Sequence, residues 1–333
     1  MSTVVNNIPR FRRLPTLIAL LFLIPAQLFT LVTKGAEFER LIIFGDSLSD
    51  TGNLAGATFN LPFPFYMNRI SDGPVAVDFL ATEVGLATNA AEHLLGSAKG
   101  DNYAVAGGNI VGNDFEDLSS QVNAFLLNNT SVGSDSLVLF FMGGNDLRGI
   151  SLETSALIRN ALITQAVDEL EDQIDRVVAL GARRIIVANS PNIASIPESA
   201  NRAISNPGYL DRADETSRSF KRLLEVRFSS SGSAAAEFQI ADVFSVVETI
   251  FANPSAFGFT NSTDGCFVEF DFHPDCNIGF SFDRFVFFDN IHPTSNAHRI
   301  VSQALIDAAG RFGTGSNVSA SVVPAIQLLL LGE

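Results

Sequence analysis

The chain has 333 residues, of which 47% are hydrophobic, with 13 Pro and 25 Gly; this composition excludes a disordered polymer and leaves room for a large core. Its formal net charge of −15 excludes the basic surface that nucleic acids and anionic lipid headgroups attract. A small-molecule or neutral substrate fits that balance.

At the amino terminus Arg10, Arg12 and Arg13 precede a mostly apolar stretch from Leu14 to Val32. This is the order of a positive n-region and an apolar h-region in an export signal. Lys34-Gly35-Ala36 makes a poor cleavage site, and the stretch approaches the ~20 residues that span a bilayer. Residues 1–36 therefore read as a signal peptide or an N-terminal anchor, and the protein as secreted or extracytoplasmic.

Apolar, β-branched-rich runs predict strands at Arg40–Phe44, Asn102–Val105, Ser136–Met142, Arg184–Asn189 and Glu237–Val243. Between the third and fourth, Leu157, Ile158, Leu162, Ile163, Val167, Leu170, Ile174 and Val177 recur at helical spacing. They predict a helix over Glu153–Leu180 that stops at Gly181. Further helices are expected over Asp211–Phe228 and Thr294–Ala309. Strands alternating with helices make an α/β protein, with a mainly parallel sheet covered on both faces. One domain, 37–315, accounts for the pattern. Residues 316–333 form a short apolar tail, too short to cross a bilayer.

Two segments fit no regular element. Phe59 to Tyr66 is aromatic and interrupted by Pro62 and Pro64, and Phe251–Phe288 is Phe-rich with interspersed Gly, Asp and Asn. Phe63, Phe65 and Tyr66 are candidate substrate contacts, an apolar wall for an acyl chain; core packing is the alternative. Cys266 and Cys276 lie close together, which in an exported protein reads as a local disulfide. Too few soft ligands stand nearby for a metal site.

Phe44-Gly45-Asp46-Ser47-Leu48-Ser49 ends the first strand and places a hydroxyl at the sheet's carboxyl edge, where open α/β sheets bind ligands. A serine nucleophile needs a base, an orienting group and oxyanion donors. The chain has four histidines. His292 follows the apolar run Phe285-Val286-Phe287, and Asp289 three residues earlier can share its turn. Asp271-Phe272-His273-Pro274 imitates this pair but sits between the cysteines and reads as loop structure. His93 and His298 have no acid at useful spacing and read as surface or satisfied helix residues. Oxyanion donors are offered where Asn102–Val105 runs into Gly107-Gly108, and at Gly143-Gly144-Asn145-Asp146, where a side-chain amide follows the glycines.

Together these segments resemble the SGNH, or GDSL, family of esterases and lipases, in its plant-lipase-like or haemolysin-like branch. Four blocks carry the resemblance: Phe44–Asn53, Asn102 with Gly107, Gly143–Asp146, and Asp289–Pro293. Arg69–Val75 and Ala252–Thr260 add branch features; Ala76 departs where that branch often carries Trp. The resemblance spans Arg40 to Phe312. It implies a flavodoxin-like three-layer α/β/α sandwich on a five-stranded sheet, and hydrolysis of a small-molecule or lipid carboxylic ester. Ser47 would be the nucleophile, His292 the base and then acid, and Asp289 its orienter. Ser47, Gly107 and Asn145 would form the oxyanion hole. No cofactor or metal is implied, and the expected form is a monomer with at most transient contact with a membrane or micelle surface. A phospholipase or acyltransferase at the same site, or a non-catalytic binding protein on this scaffold, are the alternatives.

Overall fold

The computed structural model describes residues 38–312, apart from 97, 230–234, 278 and 280. The expected signal or anchor and the C-terminal tail lie outside the described residues. Four parallel strands form the central sheet in the order β1 (Arg40–Gly45), β2 (Ser136–Phe141), β3 (Arg184–Ala188) and β4 (Glu237–Ala241). Every residue of β2 is buried, as a parallel strand covered on both faces requires.

Strand pleating sends alternate side chains into two separate cores. Leu41, Ile43, Leu137, Leu139 and Phe141 share one core with α2 (Ala76–Val84), α8 (Val243–Ala252) and α10 (Ser295–Gly310). Ile42, Phe44, Val138 and Phe140 face the other, with α3 (Leu118–Asn128), α5 (Ala156–Ala179) and α7 (Tyr209–Ser229). This is a three-layer α/β/α arrangement. The long helices obey the sequence signals: Ser155 Oγ accepts from Ile158 N–H at the start of α5, and Thr294 Oγ1 from Ala297 N–H at the start of α10.

The expected fifth strand, Asn102–Val105, is corrected. It lies beside β1, where Tyr103 N–H bonds to Ile43 O (2.7 Å) and Val105 N–H to Gly45 O (3.1 Å), yet only Asn102 makes a regular parallel pair with Ile43. Asn102 Oδ1 accepts from Ala104 N–H (3.0 Å), a local turn that competes with strand geometry. Helices α1 (Asn53–Thr58), α4 (Gly144–Ile150) and α6 (Pro197–Ser205), like α2 and α8, are too short to stand out in a window of about 11–18 residues, and α3 only just fills the shortest one.

The Phe-rich region is not featureless. β5 (Asn261–Gly265) runs parallel to β8 (Phe285–Phe287), while β6 (Phe267–Val268) and β7 (Asp271–Phe272) form a small hairpin followed by α9 (Pro274–Asn277). Cys266 and Cys276 are joined in a disulfide inside a third apolar cluster with Phe267, Phe282, Phe285 and Phe288. Among the described residues no helix is long and apolar enough to cross a membrane.

Candidate active site

The first strand stops where Gly45 packs against β2: a Cβ there would stand 2.7 Å from Phe141 O and 2.9 Å from Ser49 Cβ, so no larger residue fits. The buried amide of Gln121 brackets Gly45, accepting from its N–H (3.0 Å) and donating to its carbonyl (2.7 Å). Beyond it the chain makes one helical turn, with Ser49 and Asp50 N–H both donating to Asp46 O. Ser47 sits on this turn, nearly buried at 9% exposure.

The polar residues after Ser47 hold the turn to the neighbouring segment. Asp50 accepts from the N–H groups of Gly52, Asn53, Leu54 and Ala106. Asn53 Nδ2 donates to the carbonyls of Asn102 and Ala104, and Asn102 Nδ2 donates back to Ser49 O and Thr51 Oγ1. Burial pushes the Asp46 carboxyl up to about 6, against the Leu48 N–H bond and the charge of His292.

The other half of the site is the loop between β8 and α10. Asp289 Oδ1 accepts from the N–H groups of Ile291 (2.8 Å) and His292 (2.7 Å), while Phe288 N–H donates to His292 O (2.7 Å). This tight turn aims acid and imidazole together. Asp289 Oδ2 lies 2.8 Å from His292 Nδ1, and His292 Nε2 lies 2.9 Å from Ser47 Oγ. A carboxylate only accepts, so Nδ1 carries the proton and Nε2 is left to accept from the Ser47 hydroxyl. Burial opposes the charge on Asp289, but His292 and the two backbone donors outweigh it and hold the carboxyl below its ordinary range.

The segment after the aromatic loop clamps this turn from outside. Ser71 Oγ donates to Pro293 O, Asp72 accepts from Ser295 N–H (2.8 Å), and Ser295 Oγ donates to Pro74 O. Arg69 forks onto Asp78 and also reaches Thr51 O. Ala76 is fully buried and donates its N–H to His298 Nδ1.

Asn145 opens α4 and lines the same cavity as Ser47. Its Nδ2 donates to Gly108 O (3.0 Å), and the adjacent Asp146 accepts from Ile110 and Val111 N–H, so both residues pin the loop carrying Gly107. Gly107 has φ +94°, a conformation that side chains resist, and lies outside the cavity lining.

That cavity, about 70 Å³, runs from Ser47 between α8 and β8. Its apolar wall is Ile193, Ile196, Val247, Ile250, Phe251, Val286 and Phe287. Phe63, Phe65 and Tyr66 are not part of it. Phe63 and Tyr66 face solvent, while the Phe65 ring packs edge-on against Phe267 and Phe288 of the disulfide cluster (6.0 and 5.1 Å). The cavity beside Ser47 is lined by other elements. His273 Nδ1 accepts from Asp275 N–H in the loop, away from Ser47.

His298 is not a surface residue: it is 1% exposed, lines the cavity, and its Nε2 has no hydrogen-bond partner among the described residues. Burial, with the charge of His292, pushes its pKa down to about 3. Below about pH 6.5 the unfolded chain protonates this ring and the folded chain does not, so the residue's contribution to stability is lost as pH falls from 6.5 toward 3. Asp46 and Asp146, both raised to about 6, act in the opposite sense between about pH 6 and their ordinary value of 3.8. His298→Gln keeps an acceptor for Ala76 and removes the proton; between pH 6.5 and 4.5 it should lose about 2 kcal/mol less stability than the wild type in urea titrations. Parallel profiles would refute the assignment.

A family model for GDSL-like lipase/acylhydrolase matches residues 41–305. The chain belongs to that family and is a carboxylic-ester hydrolase. It is 26% identical over 238 residues to a phosphatidylcholine-sterol acyltransferase from Aeromonas hydrophila, covering 69% of this chain and 66% of that protein. It is likewise 26% identical to the Arabidopsis thaliana GDSL esterase/lipase At1g28590, covering 88% and 89%. A solved member of the lipolytic G-D-S-L family from Veillonella parvula aligns at TM-score 0.42 and 10% identity, over 82% of this chain and 98% of that one.

Proposed function

We propose that the protein cleaves carboxylic esters through a Ser47–His292–Asp289 triad and an acyl-enzyme. The observation that carries this is the unbroken chain of contacts from Asp289 through His292 to Ser47, at 2.8 and 2.9 Å. His292 Nε2 takes the hydroxyl proton as Ser47 Oγ attacks the carbonyl carbon, and gives it to the departing alkoxide. Water then repeats the sequence on the acyl-enzyme. Asp289 stabilises the imidazolium formed in each step. Asn145 Nδ2 and the N–H groups of Ser47 and Gly107 receive the developing oxyanion.

The acyl group enters the apolar cavity beside Ser47. The cavity is small, and its lining is mostly apolar side chains. Across p-nitrophenyl esters, kcat/KM should therefore peak between about C4 and C8 and fall at least tenfold by C16. A flat profile would exclude the cavity as the acyl site. An alcohol acceptor included in the panel distinguishes acyl transfer from hydrolysis by its ester product. The basic-then-apolar amino terminus and the disulfide support export of the protein.

A further inference from the structure

Asn145 can serve an oxyanion only if its amide nitrogen, rather than its oxygen, faces the developing charge. The two ends of an amide have nearly the same shape, so their partners decide the orientation. One partner is Gly108 O, which takes a single hydrogen of Nδ2. The other is a guanidinium: Arg148 Nη1 donates to Asn145 Oδ1 at 2.9 Å, one helical turn along α4.

Arg148 is itself held on two sides. Its Nε and Nη2 fork onto Glu198 at 2.7 and 2.6 Å, and both side chains are about four-fifths buried, at 19% and 22% exposure. Arg202 adds a second cation to Glu198 at 3.1 Å. Burial opposes the charge on Glu198, yet Arg148 and Arg202 keep its carboxyl below the ordinary range. The backbone carbonyl of Arg148 accepts from Tyr209 OH (3.2 Å), and Glu198 N–H donates to Asn290 O (2.9 Å) beside Asp289.

We infer that Arg148 is a positioning residue, which fixes the Asn145 amide with Nδ2 toward the reacting carbonyl and strengthens that donor. A flipped amide would set Nδ2 against the guanidinium N–H and Oδ1 against Gly108 O, so both contacts would turn repulsive. A cation on Oδ1 also draws electron density from the amide nitrogen, which makes its remaining N–H a better donor. Glu198 balances the guanidinium charge and keeps its fork in one plane.

This inference rests on the oxyanion role proposed for Asn145, and a double-mutant cycle separates the two. Asn145→Ala should lower kcat on a p-nitrophenyl ester by about 10²–10³-fold. Arg148→Met should lower kcat about tenfold with KM within about twofold, and Arg148→Lys, which keeps a donor, should recover part of the loss. In the Asn145→Ala background, Arg148→Met should cost less than about twofold, because the group it orients is gone. An undiminished tenfold loss there would overturn the inference and leave the oxyanion role standing. An unchanged kcat in Asn145→Ala alone would overturn the oxyanion role, and the inference with it. Near-UV circular dichroism of each variant checks the fold, and Arg148→Lys replaces Arg148→Met in the cycle if the latter does not fold.

Discussion

Ser47→Ala should lower ester turnover by about 10⁴-fold or more and leave the fold intact. Among the described residues the hydroxyl hydrogen-bonds to His292 Nε2, while the turn beneath it is held by backbone bonds to Asp46 O and by the Asp50 carboxylate. Removing one oxygen therefore disturbs nothing that carries the structure. The variant should keep its circular dichroism spectrum and melting temperature within about 2 °C, and should not react with a fluorophosphonate that labels the wild type. Turnover within tenfold of wild type in a folded variant would exclude Ser47 as the nucleophile.

Asp289→Asn is expected to cost a comparable amount, on the order of 10⁴-fold in kcat, by a different route. Asp289 does two things at once. Its Oδ1 accepts the N–H groups of Ile291 and His292, which shapes the loop, and its charge accepts from His292 Nδ1. An Asn in its place keeps an acceptor for the backbone, so the loop persists. Its NH₂ would then face Nδ1, where only an acceptor is useful; the imidazole adopts the other tautomer and its Nε2–H can no longer take the Ser47 proton. The rate should fall with little change in KM. Asp289→Ala adds the loss of both backbone contacts, so a lower melting temperature should accompany the same rate loss. Equal melting temperatures for the two variants would show that the carboxylate does not shape the loop.

Residues that declare themselves by local pattern were legible in the sequence. Leu41–Phe44 and Leu137–Phe141 are apolar at every position because both faces of the sheet are covered. Gly45, Ser47, Asp289 and His292 fall at strand ends and are joined by short turns. The supports of the site were not legible, because their partners are remote in sequence. Gln121 brackets Gly45 across 76 residues, and Ser71 reaches Pro293 across 222. Arg148 looks like an ordinary solvated residue of a short helix until α6 delivers Glu198 to it, 50 residues on. Aromatic content by itself could not say which Phe residues would line the cavity beside Ser47: Phe251 of α8 and Phe287 of β8 do, while Phe65 packs into the disulfide cluster. His298 did leave a trace, since it shares the buried face of α10 with Ala297, Val301 and Leu305.

The bond from Arg69 to Thr51 O closes the chain between them into a ring whose two ends are fastened independently of its contents. On one side Asp50 and Asn53 anchor it to the sheet edge, and on the other Arg69 is locked to Asp78. Phe59, Phe63, Tyr66 and Met67 stand exposed along the arc in between. Replacing these exposed side chains therefore leaves the bonds of Asp50, Asn53 and Arg69 in place, and those four positions should accept polar residues with kcat unchanged.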